Sequence, residues 1–156
     1  MDQFIEEMSV GDLEIAKETL RRGDYSLVIV RDGRMIYASR SHGIGGILQA
    51  IGELNRRIKG ASVADRIIGK AAALLLAYSK VKDAYAIVIS RNGLETLRSH
   101  GIPVDYENLV PKILDRSGRE ICPFEKIALE IDSPRLGFEM LRRRWRSLIE
   151  ESGGRL

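Results

Sequence analysis

The stretch ADRIIGKAAALLLAYSK, residues 64 to 80, decides the fold, because the elements on either side are ordered by how it is read. At 100° per residue, Ile67, Ile68, Ala71, Leu74, Leu75 and Tyr78 sweep out one broad apolar face. Gly69, Ala72 and Ala73 are small enough to let a helix lie close against a sheet. Ser62 stands where an N-cap belongs and Asp65 follows three residues later, so the spacing predicts a core helix opening at Ser62. On that helix Asp65 and Lys70 point apart and do not meet. Asp65 then has two readings: an acid that completes the capping box and complements the helix dipole, or a helix-mouth side chain that contacts a ligand or catalytic partner. Lys70 is either a solvated neighbour of Arg66 or the partner of a carboxylate.

Upstream, SVGDLEIAKETLRRG (9 to 23) predicts a helix with Ser9 and Asp12 as a capping-box-like pair and Gly23 as its stop. YSLVIVRDGRMIYAS (25 to 39) contains two β-rich runs around Asp32-Gly33, a strong hairpin signal. In GIGGILQAIGELNRRIKG (43 to 60), Ile44, Ile47, Leu48, Ile51, Leu54 and Ile58 recur at helical spacing.

Downstream, AYAIVIS (84 to 90) is an apolar run typical of a buried central strand. RNGLETLRSHG predicts a short helix ended by Gly101. VDYENLV and KIL are weaker strand candidates, set at edges by Pro103 and Pro111. ICPFEKIALEI has Pro123 in position for a first helical turn, and SPRLGFEMLRRRWRSLIEESGG closes the chain with a helix capped by Ser133 and broken by Gly153-Gly154. The order α-β-β-α-α-β-α-β, one further strand candidate and two closing helices predicts an α/β fold. Its central sheet is mixed, because of the hairpin, and covered on both faces.

A chain of 156 residues suits a single domain, taken here as 1–156. Its 25 basic and 22 acidic residues leave a charge of +3, too small a surplus to argue for nucleic acid without a concentrated patch. Cys122 is the one cysteine, so no intramolecular disulfide forms, which suits a reducing compartment. The first residues, MDQFIEEMSVGDLE, are acidic where a secretory signal is basic and then apolar. No apolar run approaches the ~20 residues that span a bilayer. A soluble cytoplasmic protein without membrane partners is the expectation.

The phrases ADRIIGKAAA, AYAIVIS, LRSHGI and CPFE together resemble a prokaryotic domain-of-unknown-function family with a cytidine-deaminase-like fold lacking the zinc motifs. The resemblance runs from the hairpin through CPFE and implies a three-layer α/β/α sandwich. Zinc deaminases hold the metal with a His or Cys and two thiolates of a Pro-Cys-x-x-Cys turn, and a Glu two residues after the first ligand moves protons. The equivalent helix start is read here as Ala64-Asp65-Arg66, and the turn after the central strand as Ser90-Arg91-Asn92-Gly93-Leu94. Neither supplies a ligand, and His42, His100 and Cys122 match no zinc spacing. No metal and no cofactor are therefore expected. The resemblance implies instead that Asp65 and Lys70 in Asp-x-x-x-Gly-Lys-Ala, and Cys122 and Glu125 in Cys-Pro-x-Glu, are the family's own motifs. It also shifts Asp65 towards a functional role.

Cys122 falls at an N-cap position before Pro123, with Glu125 at N3. A thiol there faces unpaired backbone N–H groups, the setting that activates a cysteine nucleophile, with Arg116 and Arg119 close in sequence. The bland alternative is a small buried hydrophobe. SHGIGGIL places Ser41, His42 and Gly43 between a strand and a helix, where a glycine-rich turn presents N–H groups to phosphate. It lacks a P-loop pattern, and tight turning is the simpler role. RRRWR (142 to 146) holds arginines and an aromatic, but it lies late in a helix where cations complement the dipole and Trp145 belongs to the apolar face.

The sequence thus predicts a zinc-free deaminase-fold protein that binds a small, nucleotide-like ligand near Asp65 and Cys122. Cysteine-based chemistry at Cys122 is the candidate reaction. Lys70, Glu125, Ser41, Gly43, Ser90 and Arg116 are the candidate ligand contacts. Self-association is expected by analogy with the fold, and nucleic acid is not expected. The alternative is a non-catalytic regulatory or assembly module with a vestigial cleft.

Overall fold

In the computed structural model, which describes residues 10–153, the stretch that opened the sequence reading is two elements. Ser62–Ile68 is a β-strand, and the helix begins only at Lys70, with Gly69 as its N-cap. The expected helix start at Ser62 is therefore corrected. Asp65 is not at a helix mouth; it sits inside a strand, and Ser62 caps nothing.

The helices and strands follow in chain order. Helix α1 spans Asp12–Arg22, β1 Leu27–Arg31, β2 Arg34–Ser39 and α2 Gly45–Leu54, continued by a 3₁₀ turn over Asn55–Ile58. Then come β3 (Ser62–Ile68), α3 (Lys70–Ser79), β4 (Asp83–Ser90), α4 (Arg91–Ser99) and β5 (Val104–Val110). Two helices close the chain, α5 over Pro123–Ala128 and α6 over Pro134–Glu151. Ser9 and Gly154, used above as helix boundaries, lie outside the described residues.

The five strands form one sheet in the order β2-β1-β3-β4-β5. β1 is antiparallel to both β2 and β3, while β3, β4 and β5 run parallel, so the sheet is mixed. The hairpin turn puts Asp32 at φ 53° and Gly33 at φ 77°, the left-handed pair that matches strand twist in a two-residue loop. Asp12 anchors that turn rather than capping its own helix. Its carboxylate accepts from the amides of Asp32 at 2.9 Å and Gly33 at 2.8 Å.

Helix α1 covers one face of the sheet, where Ala16 and Leu20 pack with Val28, Val30, Ala64 and Tyr85. The larger core lies on the other face and holds Leu27, Ile29, Val63, Ala84 and Ala86 under α2 and α3, with Leu141 of α6 among them. The fold is the three-layer α/β/α sandwich. A central strand buried on both faces has no polar alternation, which is why the residues of β3 continue the helical pattern of the neighbouring helix.

Candidate functional site

The site begins where β3 gives way to α3. The first amides of an α-helix have no partner within it, and those of Lys70 and Ala71 are met by a side chain from elsewhere in the chain. Glu125 of α5 accepts from Lys70 N through Oε1 and from Ala71 N through Oε2, each at 2.7 Å. A β-carbon at residue 69 would collide with Glu125 Oε1, so only glycine leaves room for this approach. Glu125 is buried, and burial holds its carboxyl above the ordinary glutamate range; the two amides and the Lys70 charge pull it partly back.

Lys70 returns the contact. Its ammonium donates to the carbonyl of Leu129, the C-cap of α5, at 2.9 Å and to Asp132 Oδ1 at 3.1 Å. A cation at a helix C-terminus and a carboxylate at a helix N-terminus both match the helix dipoles. Helices α3 and α5 are thus clamped reciprocally by one residue pair.

Helix α4 starts beside this clamp. A β-carbon on Gly93 would approach Ile68 O to 2.8 Å and Gly69 O to 3.1 Å, so the entrances of α3 and α4 converge. Ser90 is the α4 N-cap, and its buried hydroxyl accepts from Gly93 N at 3.0 Å. Cys122 is the N-cap residue of the six-residue α5, half-buried, and its side chain makes no capping hydrogen bond. Its amide donates to Ile113 O at 3.1 Å.

Asp65 stands apart from this group. It pairs with Leu27 on one side and Ala86 on the other, in the middle of the sheet. Its Oδ1 accepts from Ile67 N at 3.3 Å, the i to i+2 bond by which aspartate bends a chain, and Ile67 turns outward to 51% exposure. The residue itself is only 8% exposed. Burial raises its carboxyl to about 7, against the opposing amides of Ile67 and Arg66. No hydrogen bond links it to Lys70, Glu125 or Cys122 among the described residues.

The remaining expected contacts are scattered. Ser41 is exposed and donates its amide to Ser39 Oγ at 3.0 Å, and Gly43 takes the turn at φ 72°. The adjoining Gly45 and Gly46 are buried; a β-carbon on Gly45 would approach Trp145 Nε1 to 2.9 Å. That helix entrance is covered by Trp145 rather than presented to a phosphate. Arg116 lies exposed in the loop before α5, with no hydrogen bond to Cys122 among the described residues.

The structure therefore joins Lys70, Glu125 and Ser90 at one place, with Cys122 on the same short helix as Glu125, and leaves Asp65, Ser41, Gly43 and Arg116 outside it. The tie between Gly69 and Glu125 escaped sequence reasoning. Its one local signal is the glycine itself, placed directly after the β-branched Ile67 and Ile68. With the helix start moved to Gly69-Lys70-Ala71, the residues at the α3 entrance again include no thiol or imidazole. Among the described residues no group of three or more His, Cys, Asp or Glu is arranged to hold a metal ion. No described helix is long and apolar enough to cross a membrane.

No curated protein matches the chain. The crystal structure of a DUF1893 family protein from Thermotoga maritima is similar at 29% identity and a TM-score of 0.80, over 87% of this chain and 92% of that one. RibD of Acinetobacter baumannii is similar at 20% identity and a TM-score of 0.44, over 61% of this chain and 34% of that one. The diaminohydroxyphosphoribosylaminopyrimidine deaminase/5-amino-6-(5-phosphoribosylamino)uracil reductase of Thermotoga maritima gives 19% identity and a TM-score of 0.45, over 74% and 39%. These last two likenesses are partial. The family profile described as Domain of unknown function (DUF1893) matches residues 15–144, and the chain belongs to that family.

Proposed function

We propose that this protein is a zinc-free, non-catalytic regulatory or assembly module of the deaminase-type fold, with its crevice closed by the chain's own side chains. The observation that carries this reading is the Glu125 carboxylate on the amides of Lys70 and Ala71. A helix N-terminus attracts an anionic ligand through unpaired N–H groups. Here two of those donors, the amides of Lys70 and Ala71, are taken by Glu125, and Ser90 takes one at the neighbouring helix. A ligand entering the crevice would have to displace a buried carboxylate with two short hydrogen bonds. The test is a thermal-shift screen against nucleotides and metabolites, repeated on Lys70→Met. No ligand is expected to stabilise the protein through this helix entrance. A saturable rise in Tm that disappears in Lys70→Met overturns the closed-crevice reading.

A second reading has its own support. Asp65 is a buried acid held at about 7 with no charged side chain among the causes. That is the range in which a general acid or base works best at neutral pH. Under this reading Asp65 anchors a small, nucleotide-like ligand and Cys122 supplies the nucleophile. Iodoacetamide labelling of Cys122 separates the two: a closed module reacts at the rate of an ordinary thiol, and a catalytic one reacts faster and is protected by its ligand.

A further inference from the structure

At the end of the sheet where β3 and β4 begin, far along β3 from Gly69, three segments distant in sequence meet. They are the β1–β2 turn, the 3₁₀ turn after α2 and the turn between α3 and β4. Two adjoining grooves run between them and share Arg57. One, of about 410 Å³, is lined by Arg31, Asp32, Arg34, Ile36 and Arg57. The other, of about 800 Å³, is rimmed by Arg56, Arg57, Lys59 and Lys80 over a floor that includes Ile51, Leu54, Ile58 and Tyr78.

Six cations therefore line two neighbouring shallow grooves that meet at Arg57. Their single lining carboxylate, Asp32, lies 3.9 Å from Arg31 Nε. Arg34, Arg56, Arg57, Lys59 and Lys80 are exposed and form no ion pair among the described residues. Unpaired positive charge held this densely, in a chain of only +3 overall, is a local field for a polyanion. The floor narrows the class. Tyr78 remains 37% exposed there, one face stacked on Phe138 with centroids 4.2 Å apart and planes 2° apart. An aromatic over an apolar floor accepts the flat face of a base, and the cationic rim accepts the phosphates that join one base to the next.

We propose that the joined grooves bind single-stranded nucleic acid, with phosphates on Arg56, Arg57, Lys59 and Lys80 and a base against Tyr78. The site is independent of the crevice closed by Glu125. Fluorescence anisotropy of the full chain with a labelled single strand of about 16 nucleotides tests it. Saturable binding is expected at about 50 mM salt, weakening about 50-fold by roughly 200 mM for about four phosphate contacts. The pair Arg56→Glu with Arg57→Glu should cost at least about 10-fold and flatten the salt slope, while Arg143→Glu on α6 should leave binding unchanged. Tyr78→Leu, which keeps an apolar side chain on the core, should weaken binding about 10-fold at every salt concentration. Circular dichroism confirms that each variant is folded. Absence of binding at low salt, binding unmoved by the Arg56/Arg57 reversal, or adherence to phosphatidylserine vesicles without affinity for the oligonucleotide would each overturn the proposal.

Discussion

A β-carbon on Gly69 would collide with Oε1 of Glu125, the same oxygen that accepts the Lys70 amide at 2.7 Å. Glycine is required here for closeness and not for conformation, since its φ of −99° is open to any residue. The relationship ties the entrance of the buried helix α3 to a short helix near the end of the chain.

Gly69→Ala should therefore push Glu125 off both amides and destabilise the protein by about 3 kcal/mol in urea unfolding. Gly52 is the matched control. It lies inside α2 with nothing within 4 Å of its hypothetical β-carbon, so Gly52→Ala should stabilise by about 0.5–1 kcal/mol. Equal effects at the two positions would show that the Glu125 contact contributes nothing.

Glu125→Ala should cost about 2 kcal/mol, because it leaves two buried helix amides unsatisfied. Burial raises the native carboxyl above its unfolded range. The folded state therefore holds this proton more tightly than the unfolded one, and the wild-type contribution is largest in acid and shrinks as pH rises past the ordinary glutamate value. The difference between Glu125→Ala and wild type, followed by chemical denaturation, should narrow from pH 4.5 upwards.

Asp65 titrates with the same sign and over a defined window. Its carboxyl goes from 3.8 in the unfolded chain to about 7 in the fold. Below 3.8 both states are protonated and no penalty exists; between 3.8 and about 7 only the unfolded chain ionises, so stability falls as pH rises; above about 7 the loss is complete. The full penalty is on the order of 4 kcal/mol. Asp65→Asn should match wild type in acid and exceed it in stability above neutrality. A difference independent of pH would mean that Asp65 is not held protonated.

Asp12→Ala removes both carboxylate bonds to the Asp32-Gly33 turn and should cost about 1–2 kcal/mol. Amide exchange at Gly33 should accelerate in the variant well beyond exchange in β3. Unchanged protection at Gly33 would show that the turn holds itself.

Much of the fold was legible where the deciding physics is local. Asp32-Gly33 marks its hairpin because the turn demands positive φ at both residues, and the structure has it. Ser133 marks the start of α6 because a hydroxyl reaches an amide three residues on, and it does so at 3.2 Å. Cys122-Pro123 likewise marks the start of α5, at the place where the sequence put it.

The rest depends on contacts that local patterns do not record. β3 carries a helix-like pattern because a strand buried under α1 on one face and α2 and α3 on the other shows no alternation, and its Asp65 and Arg66 sit as readily in a helical pattern. Glu125 looked like the N3 acid of its own helix, yet its partners are the Lys70 and Ala71 amides on a different helix.

By itself, the sequence determined an α/β chain with its hairpin, its caps and most of its helices, since those follow from dihedral limits and hydrogen bonds within a few residues. Only the tertiary structure decided that Asp65 lies in the sheet, that Glu125 closes the α3 entrance, and that Arg31, Arg34, Arg56, Arg57, Lys59 and Lys80 gather along two neighbouring grooves. Burial and Coulomb fields are set by distance in space, and folding brings together charges that lie far apart along the chain.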